Sequence, residues 1–156
     1  MTDDPDRMDE IRAEIDAVER SALRRVDPGH RAVVIAAAMM VLLLATSLPW
    51  VGAASGWEVL YGAADPADRV GLLPRLFAAV ALGLGVGLSA LALLTRRWGL
   101  VWASALGCGY CVLDGVWAIW SRQTAAGAGP GMGLVLALLA VAVLAAQWFR
   151  LAVSRR

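Results

Sequence analysis

The sequence predicts an all-α protein: a four-transmembrane-helix bundle preceded by an N-terminal amphipathic helix on the cytoplasmic side. Three observations support this fold class. Hydrophobic residues make up 60% of the 156-residue chain, the charged residues are confined to a few short segments, and four long apolar runs separate those segments. Such a composition is typical of a membrane protein.

The first segment, residues 1–31, is predicted to hold a short helix that ends before the apolar runs begin. Residues 1–19 carry eight acidic side chains and two arginines, whereas residues 20–31 carry four arginines. An anionic lipid surface would therefore attract only the second part. A second copy of the chain or an envelope protein is the expected partner of residues 8–26, and a solvated helix without a partner is the alternative. Its narrow apolar stripe has the spacing of a coiled coil: Met8, Ile11, Ile15, Val18 and Ala22.

Residues 32–156 are predicted to form one transmembrane domain. A helix needs roughly 20 residues to cross a hydrocarbon core, and a lone strand would leave backbone groups unpaired in lipid. Pro49 is expected to end the first span. The four spans are predicted at about residues 32–48, 72–94, 98–120 and 132–149.

The placement of arginine predicts the orientation of these spans. Of the arginines that flank them, nine fall on one side and three on the other. An excess of arginine marks the cytoplasmic side, so both chain ends are expected in the cytoplasm, with the protein in the plasma membrane. Because the basic residues flank apolar runs and form no patch along the sequence, no nucleic-acid partner is expected.

Small residues at intervals of four are expected to hold two of the helices together, because they let helix backbones approach closely in lipid. One ribbon lies on the second span and one on the third, and they are predicted to face each other. The ribbons are Ala79, Gly83 and Gly87 on one span, and Ala103, Gly107, Cys111 and Gly115 on the other.

Cys108 and Cys111 have the C-x-x-C spacing of thiol redox proteins. A reactive thiolate is favoured beside a cation or at a helix N-terminus, whereas this pair lies deep in the third span. The sequence contains no further cysteine that could relay electrons. Packing is therefore the expected role of the pair, and a membrane thiol oxidoreductase is an alternative function.

Asp114 is an acidic residue inside a long apolar run, near the outer end of the third span. Arg75 lies at a similar level in the second span. Each charge is at the helix end where the helix dipole disfavours it, so an ion pair between the two is expected. An ionisable residue in such a place is a candidate functional site. The predicted outer-face cluster of polar and aromatic residues comprises Asp114, Arg75, Glu58, Arg69, Arg122, Trp57, Trp117 and Trp120.

Two roles are open for this cluster. It either joins the second and third spans, or it forms a cup that binds a lipid or a small molecule of the envelope. The sequence shows no catalytic, cofactor-binding or metal-ligating motif, so no enzymatic activity, no cofactor and no metal are expected.

Three short stretches resemble an uncharacterised actinobacterial family of small four-span integral membrane proteins: LPW at 48–50, SGWEVL at 55–60 and WSRQT at 120–124. The resemblance covers roughly residues 32–150. It implies an inner-membrane location and transfers no activity and no site residues. The expected function is that of a non-enzymatic membrane scaffold or accessory subunit of an envelope complex, acting through its N-terminal helix and the outer loop at 50–71.

Overall fold

The computed structural model of the chain describes residues 11, 12, 14–16, 29–125 and 127–154. Apart from one small antiparallel hairpin, the regular elements are helical, which confirms the predicted all-α class. In chain order they are α1 (Arg31–Thr46), β1 (Pro49–Val51), β2 (Ala54–Ser55), α2 (Gly56–Tyr61), a 3-10 turn (Pro66–Asp68), α3 (Leu72–Val80), a π-helical segment (Ala81–Leu88), α4 (Ser89–Thr95), α5 (Trp98–Thr124) and α6 (Met132–Val153).

Four helical rods run up and down in succession, with α3, the π-helical segment and α4 forming one continuous rod. Their ends agree with the predicted apolar runs to within about four residues. Within the described part of the chain, three rods are long and apolar enough to cross a membrane, judged by length and composition alone: Leu72–Thr95, Trp98–Thr124 and Met132–Val153. The first rod, α1, has 16 residues and is shorter.

The last helix, α6, packs against both α1 and α5, and α5 packs against the Leu72–Thr95 rod. A buried polar contact sets the relative heights of three rods. The indole Nε1 of Trp148 on α6 donates a hydrogen bond to Ser89 Oγ on α4 at 2.9 Å, and Ser89 Oγ lies 3.9 Å from Cys108 Sγ on α5. Because a buried indole N–H needs an acceptor, sliding either rod would leave it unsatisfied.

The predicted small-residue ribbon of the second rod faces the outer surface and not the third span. Ala79, Gly83 and Gly87 are exposed, and no atom lies within 4 Å of where a Cβ at Gly83 would be. The buried face of this rod instead includes Ala81, Gly85 and Ser89. That face carries the Ser89 hydroxyl, which accepts a hydrogen bond from Trp148 in the interior.

The ribbon of α5 does face neighbouring rods. A Cβ at Gly107 would lie 3.4 Å from Leu84 Cδ1, and one at Gly115 would lie 2.8 Å from both Phe77 and Leu138. Cys111 is buried with them, whereas Ala103 at the start of the ribbon is half-buried.

The predicted N-terminal stripe falls largely outside the described residues, which include neither Met8, Val18 nor Ala22. Ile11 and Ile15 are described, and both are helical and exposed. The partner predicted for residues 8–26 and the division of the chain at residue 31 stay predictions.

Candidate functional site

One end of the bundle carries a loop cap, which we define as residues 47–71 and 127–131. It is built around Trp50, whose side chain is completely buried. The indole Nε1 donates to the carbonyl of Ala45 at the end of α1 at 2.8 Å, and the ring packs on Phe77 of α3 with centroids 5.4 Å apart. The hairpin residue Trp50 therefore links two rods.

Two glycines make the slot that holds this indole. A Cβ at Gly56 would lie 2.7 Å from Trp50 Cε2, and one at Gly133 would lie 2.7 Å from Trp50 Cδ1. Neither position has room for a side chain. The backbone N–H of Gly131 also donates to the Trp50 carbonyl at 2.7 Å, so the start of α6 is fixed against the hairpin.

Arg122, in the last turn of α5, joins the two halves of the loop cap. Its side chain is 3% exposed, and every hydrogen bond found for its guanidinium goes to a backbone carbonyl. Nε and Nη2 donate to Ala128 at 3.1 and 2.6 Å, Nη1 donates to Arg69 at 3.0 Å, and Nη2 also donates to Asp68 at 3.3 Å. A planar guanidinium suits such a set of acceptors because its donors form a rigid fork.

The turn of the hairpin requires glycine at position 52, where the Asp68 side chain packs against the backbone. Gly52 has φ of 57°, a left-handed conformation that favours glycine, and the Asp68 carboxylate occupies the space that a Cβ would need. The hairpin, the 3-10 turn and Arg122 therefore pack as one unit.

Glu58 belongs to a capping box at the start of α2. Its Oε2 accepts from the backbone N–H of Ser55 at 2.7 Å and from the Ser55 hydroxyl at 2.8 Å. These bonds, first the backbone one and then the hydroxyl one, lower the pKa of the Glu58 carboxyl below its ordinary value. α2 ends at Gly62, which has φ of 72°, and the Arg75 guanidinium lies beside that glycine.

The aromatic members of the predicted cluster are on the surface. Trp57 is exposed and stacks on Tyr61, with ring centroids 6.4 Å apart. Trp117 and Trp120 are more than half exposed on α5. The structure thus gives several predicted members local partners, and their common role as an outer-face cluster stays a prediction.

Asp114 is fully buried on α5. Within the described part of the chain, neither of its carboxylate oxygens has a hydrogen-bond partner, so the expected hydrogen-bonded pair with Arg75 does not form. A buried charge without a partner is costly.

Cys108 and Cys111 are buried and form no disulfide. Both thiols point to the second rod, with Cys111 Sγ 3.5 Å from the Val80 carbonyl and Cys108 Sγ 4.0 Å from the Leu84 carbonyl. These contacts are those of small packing residues with weak S–H donors.

Together, these features define an all-α bundle domain with one end closed by a hydrogen-bonded cap. A family model described as the MiaB C-terminal domain matches residues 12–156, and the chain belongs to that family.

A curated relative supports this assignment. The chain is 46% identical over 156 residues to a tRNA-2-methylthio-N(6)-dimethylallyladenosine synthase of Mycobacterium avium (strain 104). The match covers 98% of this chain but only 22% of the relative, so the chain spans about a fifth of that protein's length. No solved structure matches the chain.

These findings correct several predictions. The chain is not a member of the uncharacterised four-span family, because the three stretches that suggested it are short and the family match covers nearly the whole chain. The predicted non-enzymatic scaffold is wrong, since the relative is a synthase. The alternatives of a thiol oxidoreductase and of an envelope-ligand cup are likewise unsupported.

The predicted location and partners are also wrong. The chain belongs to the MiaB C-terminal domain family, and its curated relative is named as a tRNA-modifying synthase. A plasma-membrane protein with the lipid bilayer as its partner and without nucleic acid conflicts with these findings. That prediction used the arginines only as markers of orientation.

Arg122→Lys tests the loop cap. A lysine keeps the charge but cannot reach all three carbonyls, and buried acceptors left unsatisfied cost about 1 to 3 kcal/mol each. We expect the free energy of unfolding to fall by about 2 to 3 kcal/mol. The control Arg75→Lys, at an exposed position, should change it by about 0.5 kcal/mol or less. Equal values for the two variants would show that the cap does not need the guanidinium.

The capping box should make stability depend on pH. Because the pKa of Glu58 is lowered in the folded state, its contribution is present above the unfolded pKa and is lost as the pH falls through the folded pKa. We expect wild type to melt above Glu58→Gln at pH 7, and the difference to shrink as the pH falls below 4.5, the ordinary pKa of the carboxyl. In a Ser55→Ala background this difference should shrink at pH 7. A difference that does not change with pH would contradict the role of the carboxylate.

Proposed function

We propose that the chain is a domain of a tRNA-2-methylthio-N(6)-dimethylallyladenosine synthase. The observation that carries this proposal is the 46% identity to such a synthase over 98% of the chain. Membership of the MiaB C-terminal domain family supports it.

Several polar groups of the domain are engaged in structure: Arg122 binds loop carbonyls, Glu58 caps α2, and Ser89 accepts from Trp148. Among the described residues, no group of three or more His, Cys, Asp or Glu side chains could hold a metal ion.

Deleting residues 31–154 in the cell that makes the protein tests the proposal. The measurement is the content of 2-methylthio-N(6)-dimethylallyladenosine in total tRNA, by nucleoside mass spectrometry. We expect it to fall at least fivefold, and complementation with wild type should restore it while Arg75→Lys behaves like wild type. An unchanged nucleoside content after deletion would reject the proposed function.

For the architecture, we infer the finer description of residues 32–156 as a bundle of four helices, with residues 1–31 as a separate amphipathic segment. The three long apolar rods support it, as does the packing of α6 against both α1 and α5.

A further inference from the structure

The outer side of α5 carries a ridge of large, exposed apolar side chains. They recur at alternating intervals of four and three residues, which is the spacing of a coiled-coil seam. Each of them is between 47 and 67% exposed. Contiguous exposed apolar side chains of this kind mark interaction surfaces. We define the ridge as Leu106, Tyr110, Leu113, Trp117 and Trp120.

The two rods on this side carry few charges, and none lies on the ridge. Within Trp98–Thr124 the charged residues are Asp114 and Arg122, and both are buried. Within Leu72–Thr95, the second rod, the one charged residue is Arg75, whose guanidinium lies beside Gly62 in the loop cap. Aromatic side chains with few charges among them are typical of the centre of a protein–protein interface.

The small-residue ribbon of the second rod points to the same side as the ridge. A Cβ at Gly85 or at Gly115 would contact leucine side chains of α6, so both glycines face α6. Residues two positions apart on a helix point to nearly opposite sides. Gly83 and Leu113 therefore both point away from α6. The surface at Gly83 is open, because no atom lies within 4 Å of where its Cβ would be.

Contacts between the two rods give their relative heights. Cys111 Sγ lies 3.5 Å from the Val80 carbonyl, and Cys108 Sγ lies 4.0 Å from the Leu84 carbonyl. Because the rods run in opposite directions, a step forward along α5 corresponds to a step back along the second rod. By this count three pairs lie level to within about two residues, or roughly 3 Å: Leu113 with Ala79, Tyr110 with Gly83, and Leu106 with Gly87.

We propose that two copies of this chain associate through this side, with the ridge of each copy packed on the small-residue ribbon of the other. A two-fold axis parallel to the rods exchanges the two rods and keeps every residue at its height. Each ridge side chain then meets the small residue that is level with it, and large side chains opposite small ones interdigitate. An axis perpendicular to the rods would oppose ridge to ridge.

The area of this side suffices for a specific dimer. The three aromatic side chains of the ridge leave roughly 300 Å² uncovered, since such side chains present about 150 to 250 Å² each and these are about half exposed. The two ridge leucines, with Leu76 and Leu94 on the helix face of Gly83, add about 200 Å². Roughly 500 Å² per copy, or about 1,000 Å² for the pair, is the size from which a biological interface is expected.

Thiol cross-linking between two differently tagged copies tests the pairing. Both copies carry Cys108→Ala and Cys111→Ala, one adds Leu113→Cys, and the other adds Ala79→Cys. They are expressed together as full chains, and a short bifunctional maleimide is applied to intact cells. We expect a product that carries both tags. Since each copy holds one new thiol, a link within one chain cannot give this product.

Two control pairs accompany this cross-link. Leu139→Cys, at an exposed position of α6, should give no product with Ala79→Cys. Two copies that both carry Leu113→Cys report the perpendicular axis and should give much less product than the mixed pair. A product from two Leu113→Cys copies alone, or no product from the mixed pair, would overturn the proposal.

Gly83→Leu gives a second readout that keeps the native cysteines. The position is open in the single chain, so leucine should leave the fold intact, which thermal melts check, and should fill the space that the second copy's Tyr110 needs. Ala146→Leu adds a leucine at an exposed position of α6. By sedimentation equilibrium of the full chain in one mild detergent, we expect Gly83→Leu to raise the dimer Kd at least about tenfold and Ala146→Leu to leave it within about twofold. A monomeric wild type, or equal constants for both variants, would contradict the pairing.

Lipid or a different polypeptide could cover the same side instead. Lipid gives no doubly tagged product in cells, and a different protein gives products of other masses that carry one tag. Either result, without the doubly tagged product, rejects the dimer.

Discussion

The hydrogen bonds of one buried guanidinium hold the loop cap in place. Arg122 is fixed by the last turn of α5, and it reaches carbonyls from the segment before α3 and from the segment before α6. Both segments also converge on Trp50, through Gly131 and through the hairpin that Asp68 supports. The start of α6 is therefore held by contacts in the cap, in addition to the packing of α6 on α1 and α5.

The rods themselves could be predicted from the sequence, because a long apolar run bounded by charges and prolines has few other solutions. The cap could not. Arg122 and Trp50 were visible as residues, but their partners are backbone carbonyls 53 residues and five residues away along the chain, and no pattern of side chains encodes those. The sequence showed Asp114 as an acid in an apolar run, and in the structure its side chain is completely buried. Its predicted bond to Arg75 failed because helix phase cannot be read from levels along the axis.

The composition predicted a membrane protein, whereas the chain belongs to the MiaB C-terminal domain family. This difference has a physical origin. Composition reports the surface that a domain presents to its surroundings, and here that surface is apolar along three rods. It does not report the chemistry of a larger protein in which the domain takes part. Among the described residues, Cys111, Arg122 and Glu58 are used for packing and hydrogen bonding, so their arrangement did not indicate the family.

The bond between Arg31 and Ser154 has a consequence for how this bundle can be built into longer polypeptides. The start of the first rod lies beside the end of the last rod. The whole bundle could therefore be inserted into a longer protein at one position on that protein's surface. Neighbouring domains would then sit on that same side and leave the far side sterically clear. Linkers of a few residues would be enough to join them.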